Sequence, residues 1–132
     1  MEPRELVRRL HVALLEERDP AVVDDFFAAD FVSHNNPPGF PPGVDGVKRF
    51  FAMFRDAFPD VSVEIDEIVA DGDRVAVATT FTGTHDGELM GVAPTGRRVS
   101  VTGIDILRVA GGKIAEHRGL TDIVGLMRQL TT

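Results

Sequence analysis

The stretch VSVTGIDILRVAGGKIAEHRGL, residues 99–120, decides the fold. Val99, Val101, Leu107 and Val109 share one parity, while Ile104 and Ile106 occupy the other. Side chains alternate across a strand, so a strand over 99–109 is apolar on both faces. Gly111-Gly112 follows as a two-residue hairpin turn, whose central positions need positive φ. Ile114 to Leu120 then returns antiparallel. A sheet apolar on both sides needs two covers. Helices of the same chain can supply one; a second subunit is the expected source of the other, which predicts a homodimer.

Upstream, the pattern continues. Val61, Val63 and Ile65 alternate with Ser62, Glu64 and Asp66, as in a strand with one wet face. Asp71-Gly72-Asp73 is a turn, and Val75 to Thr84 is a long β-branched strand. Leu89 to Gly96 reads as irregular. The first half reads as helical. Pro3 suits a first helical turn, and Leu6, Val7, Leu10, Ala13, Leu14 and Leu15 recur at spacings of three and four. Asp19-Pro20 is a second helix start, predicting a short helix that buries Val22, Val23, Phe26 and Phe27. Phe31-Val32-Ser33 reads as extended. NNPPGFPPG, residues 35–43, forbids regular structure and reads as a loop. A third helix from Val44 carries Val47, Phe50, Phe51, Phe54 and Phe58 on one face and stops at Pro59. Ile123 to Leu130 is a tail helix. Three helices followed by long antiparallel strands make an α+β architecture in one domain, residues 1–132.

Composition excludes several classes. The absence of cysteine removes disulfides, thiolate metal sites and a cysteine nucleophile. The absence of Tyr and Trp removes any phenolic acid, and nine Phe carry the aromatic content. Fourteen Lys and Arg against 21 Asp and Glu give a net charge of −7, which disfavours a nucleic-acid partner. No apolar run approaches the roughly 20 residues that span a membrane, and MEPRELVRRL has no apolar signal core, so a cytoplasmic location is expected. No HxH, HxxxH or HExxH spacing argues for a metal site, and no phosphate loop, GxSxG or dinucleotide fingerprint is present.

Several segments in fixed order resemble one family. These are Phe31-Val32-Ser33-His34-Asn35, the Phe50-Phe51 helix ending in Ala57-Phe58-Pro59-Asp60, and Phe81-Thr82-Gly83-Thr84-His85. Met90-Gly91-Val92-Ala93-Pro94-Thr95-Gly96-Arg97-Arg98 and Gly112-Lys113-Ile114-Ala115-Glu116-His117 complete the set. Together they resemble the SnoaL-like polyketide cyclases of the nuclear transport factor 2-like superfamily, over about residues 5 to 131. The resemblance implies a conical α+β barrel: a curved antiparallel sheet packed against the N-terminal helices, around an apolar cavity. It implies a homodimer or tetramer, and a cofactor-free intramolecular aldol closure on an aromatic polyketide ester. It also implies an acid/base aspartate two residues after the Glu-His pair, a pocket histidine on the preceding strand and a neighbouring glutamine. Those positions hold Gly119, Asp105 and Gly103 here. The family carboxylate is therefore missing, and a carboxylate stands where a histidine is expected.

Asp105 is accordingly the first catalytic candidate. An apolar cavity would desolvate it and make it a better base. Two registers are open. An unbroken hairpin pairs it with Arg118, as a structural ion pair; a one-residue bulge sets it opposite Gly119, on the pocket side. His117 has the parity of Gly119 and is either a proton shuttle or a buried, hydrogen-bonded ring. His34 is a second acid or a loop anchor, and Asn35 a hydrogen-bonding candidate beside it. Phe50, Met53, Phe54 and Met90 are pocket-wall candidates, with Arg118 and Gly119 completing the substrate-binding set. His85 reads as part of a solvated turn, and Asp122 as a cap on the tail helix. The function these residues predict is acid/base cyclisation or isomerisation of an apolar carbonyl substrate. The alternatives are epoxide opening, dehydration, or cofactor-free ligand binding in a site whose catalysis was lost with the aspartate.

Overall fold

The computed structural model describes residues 1–14, 21–36 and 39–132. Its elements run α1 (Pro3–Val12), α2 (Val22–Phe26), β1 (Phe27–Ser33), α3 (Val44–Ala57), β2 (Ser62–Asp71), β3 (Arg74–Thr84), β4 (Arg98–Ala110), β5 (Lys113–Thr121) and α4 (Ile123–Thr131). The predicted Asp19-Pro20 start and Leu15 lie outside the described residues. Among the described residues no helix is long and apolar enough to cross a membrane.

The strands form one five-stranded sheet in the order β1-β5-β4-β3-β2. It is open, not the closed barrel that the resemblance implied. Nor is it wholly antiparallel: β1 pairs with β5 in parallel, with Ser33 beside His117. Phe27, expected in the short helix, instead begins β1 and is buried there. The helices are therefore interrupted by a strand, and the sheet is one strand wider than the alternating second half suggested.

The inner face is the core. Val75 and Val77 of β3, Val99, Val101, Leu107 and Val109 of β4 and Ile114 of β5 are all buried. Helix α1 crosses β2 and β3 and adds Leu6, Val7 and Leu10. Helix α3 adds Phe54 and Ala57, and its exit is closed by Phe58, whose N–H donates to Phe54 O at 2.8 Å. Phe54 packs against Phe50, Phe81 and Phe58 with ring centroids 4.9, 5.0 and 6.2 Å away. The outer face stays uncovered: Ile104, Ile106 and Leu120 are 61%, 44% and 77% exposed.

One local irregularity sets the register of the site. Gly111 and Gly112 have φ of 58° and 76°, as the tight turn requires. Val109 then pairs with Ile114, but Arg108 pairs with Glu116, so Ala115 is an extra residue in β5. The bulge shifts every later pair by one and brings Asp105 opposite Gly119 rather than Arg118. Two side-chain amides cover strand edges that lose their partners. Asn35, just past β1, exchanges two hydrogen bonds with the backbone of Gly119 at 2.6 and 3.0 Å. Gln129 of α4 does the same with Ser100 at 2.9 and 2.8 Å. Each takes the ladder place of a missing strand, which satisfies backbone groups that would otherwise be left open.

Candidate active site

Between the inner face of the sheet and α1 and α3 lies a cavity of about 360 Å³. That is within the range of about 300–1,000 Å³ usual for small-molecule sites. Its walls are mainly apolar: Leu10, Leu14, Phe27, Phe31, Phe40, Val47, Phe50, Phe51, Phe54, Val63, Phe81 and Leu107. Polar groups gather at one corner, where Ser33, Asp105, His117 and Gly119 meet.

There the geometry is tight. His117 Nε2–H donates to Asp105 Oδ1 at 2.6 Å, and each side chain is less than a third exposed. Ser33 Oγ lies 3.0 Å from the other ring nitrogen, Nδ1. Inward parity on three neighbouring strands accounts for the meeting. Ser33 pairs with His117 across β1 and β5, and Asp105 sits diagonally across β4 from it. Gly119 makes the room. A Cβ there would overlap Asp105 Oδ1 and stand 2.6 Å from His117 Nε2 and 2.9 Å from Asp105 Cγ. The Asp105 carboxylate thus fills the volume that a side chain at residue 119 would occupy.

The other expected residues divide. Phe50 and Phe54 line the cavity. Asn35 reaches its edge, but its amide is committed to the Gly119 backbone. Met53 packs against the core and is not part of the cavity wall. Met90 is the exposed tip of a turn closed by Leu89 and Val92, with φ of 47°, and does not line the cavity. Arg118 points to the outer face opposite Ile106, because inward parity belongs to its neighbours. His34 also lies outside the cavity. Its Nε2 is 3.3 Å from Glu116 Oε2, and Arg108 Nη2 donates to Glu116 Oε1 at 2.9 Å. The Arg108 guanidinium, and secondarily His34, hold the Glu116 carboxyl below its usual range.

His85 is not in a solvated turn. It is fully buried, 5.7 Å from the Phe58 ring, with Nδ1 accepting from Thr95 N–H at 3.1 Å. It anchors the loop that runs from β3 to β4. Asp122 caps α4 as expected, accepting from Gly125 N–H at 2.9 Å. Among the cavity residues that escaped the sequence reading are the polar side chains of His11 and Ser33. His11 sits one place past Leu10 on the α1 stripe, a spacing that already aimed it inward. Ser33 shares the parity of Phe31, but nothing local shows that its strand lies against His117.

Comparison with known proteins agrees with this architecture. The chain is 33% identical to the aklanonic acid methyl ester cyclase DauD of Streptomyces sp. (strain C5), covering 96% of this chain and 80% of that one. It is 29% identical to the nogalonic acid methyl ester cyclase of Streptomyces nogalater, covering 82% of each. The crystal structure of IdmH from Streptomyces antibioticus superposes with a TM-score of 0.87 at 31% identity, over 100% of both chains. The profile of the SnoaL-like polyketide cyclases matches residues 5–130. On the strength of that near-complete match, carried by the same strands that build the cavity, the chain belongs to the SnoaL-like polyketide cyclase family.

Proposed function

We propose that this protein is a cofactor-independent cyclase that closes a ring on an aromatic polyketide ester by acid/base chemistry, with Asp105 as the base. One observation carries the reading. The Asp105 carboxylate occupies the space that a side chain at 119 would need, beside His117. Gly119 then marks a carboxylate moved from β5 to β4, not a lost site. The cyclase relatives support the substrate class, since each is named for a methyl ester of a polyketide acid.

The chemistry asks little of the protein. A carbon flanked by carbonyls is already acidic. Asp105 takes its proton, the enolate forms a carbon–carbon bond to a second carbonyl, and the resulting alkoxide takes that proton back from the Asp105 carboxyl. A placed base contributes about 10²–10⁴-fold. The aromatic walls around Phe50 and Phe54 supply the rest by holding the chain folded for attack. The outer face, with Ile104, Ile106 and Leu120 exposed, is proposed as the contact with a second copy in a homodimer or tetramer.

The test is direct. Without Tyr and Trp the protein scarcely absorbs in the near ultraviolet, so a ligand chromophore can be followed against it. Mixed with an uncyclised anthraquinone-type ester, the protein should convert many equivalents. Asp105→Asn should still bind the ester while turnover falls at least about 100-fold. A spectral change that saturates at one equivalent per chain would make the protein a binder, and undiminished turnover in Asp105→Asn would remove that residue as the base.

A further inference from the structure

We infer that Ser33 is a positioning residue of this site: it holds the His117 ring so that both ring nitrogens serve the protein and only Asp105 acts on the substrate. The inference deepens the cyclase reading and rests on it. It starts from donors and acceptors. An ionised carboxylate can only accept, so at 2.6 Å the proton between His117 and Asp105 belongs to Nε2. In the neutral ring Nδ1 is then an acceptor, and the Ser33 hydroxyl, 3.0 Å away and 8% exposed, donates to it. If the ring gains a proton, the same hydroxyl rotates and accepts from Nδ1–H. Serine therefore keeps the ring in place in either state, which an apolar side chain cannot do.

Two consequences follow. His117 has no ring nitrogen left for the substrate. Asp105 Oδ2 has no hydrogen-bond partner among the described residues and is the open basic atom of the corner. The chain Ser33–His117–Asp105 also has the connectivity of an acyl-transfer triad, yet the surroundings disfavour that use. A serine nucleophile needs unpaired N–H groups for the oxyanion. Ser33 N–H donates to Pro42 O at 2.8 Å, and His34 N–H to His117 O at 2.9 Å. Gly119 N–H donates to Asn35 Oδ1 at 3.0 Å. The backbone donors around Oγ are already committed.

Steady-state kinetics on the polyketide ester, together with imidazole ¹⁵N NMR of the ligand-free protein, test the assignment. Ser33→Ala should lower kcat about tenfold, as expected for one lost hydrogen bond to a buried ring, and leave KM within about twofold. Ser33→Thr, which keeps the hydroxyl, should restore the rate. His117→Gln should stay within about tenfold of the wild type, because the Gln amide can still donate to Asp105, while His117→Leu should fall at least about 100-fold. The NMR spectrum should show the Nε2–H form of His117, with its Nδ1 resonance displaced in Ser33→Ala. Equal inactivity of His117→Gln and His117→Leu would mean that the ring itself exchanges protons with substrate, and would overturn the inference. So would a wild-type rate and unmoved Nδ1 resonance in Ser33→Ala, or covalent capture of Ser33 by a fluorophosphonate. The NMR arm needs no turnover, so it separates failure of the Ser33 assignment from failure of the cyclase reading, which Asp105→Asn decides.

Discussion

At the scale of single residues, Gly119 and Asp105 compete for one space. Adding a carboxylate at 119 alone should be harmful twice over. Its Cβ overlaps the Asp105 carboxylate, and two like charges would share one corner beside His117. Gly119→Asp is expected to lose at least about 100-fold in turnover and to lower Tm. Combining it with Asp105→His removes the second negative charge and puts the carboxylate on the other strand, provided the ring turns away from residue 119. The double variant should turn over the ester faster than Gly119→Asp alone. Initial rates of the three proteins on one substrate check this, and a double variant no better than the single one would refute the relocation. The sequence exposed this exchange, because the two departures from the family pattern are visible without coordinates. It did not expose the local environments. His85, in Thr84-His85-Asp86-Gly87, has every mark of a wet turn, yet is buried because the loop folds back over Phe58. Ser33 looks like any polar residue ending a strand.

At the scale of elements, α3 and the neighbouring strands β1, β5 and β4 carry the site. Phe54 is 4% exposed at the centre of the aromatic cluster under the cavity. Phe54→Ala should destabilise the protein by about 3–5 kcal/mol, measured by urea unfolding. On the outer face Glu116 bridges Arg108 to His34. Folding lowers its pKa from the usual 4.5, chiefly through the Arg108 hydrogen bond. A lowered folded value stabilises above the unfolded pKa and is lost as pH falls through the folded one. The Tm difference between wild type and Glu116→Gln should therefore be full near neutral pH and shrink below about 4.5. A difference constant from neutral to acid pH would show that the ion pair does not contribute. Element types and most boundaries were legible, because periodicity reports burial on one face. Strand β1 was only partly so. Phe27 continues the apolar spacing of the short helix, while the partner that makes it a strand, Ile114, is far along the chain.

At the scale of the whole molecule, the sheet has one face filled and one bare. Ile104 and Ile106 project from the middle of the outer face, flanked by Leu120 and Arg118. Replacing both isoleucines with Glu should leave the cavity side intact and yield monomers in size-exclusion chromatography with light scattering. Unchanged mass in that variant would locate the contact elsewhere. The sequence by itself determined the α+β class, the hairpin and the two-sided apolar strand, because these follow from local spacing and turn chemistry. Tertiary structure decided whether Asp105 meets Arg118 or Gly119, and with it which face His117 takes, since a single bulged residue at Ala115 shifts the pairing of every residue beyond it by one. It also decided that Ser33 serves the same corner. That contact joins positions 84 residues apart, and such a pairing is fixed by packing of the complete sheet, which no window of sequence contains.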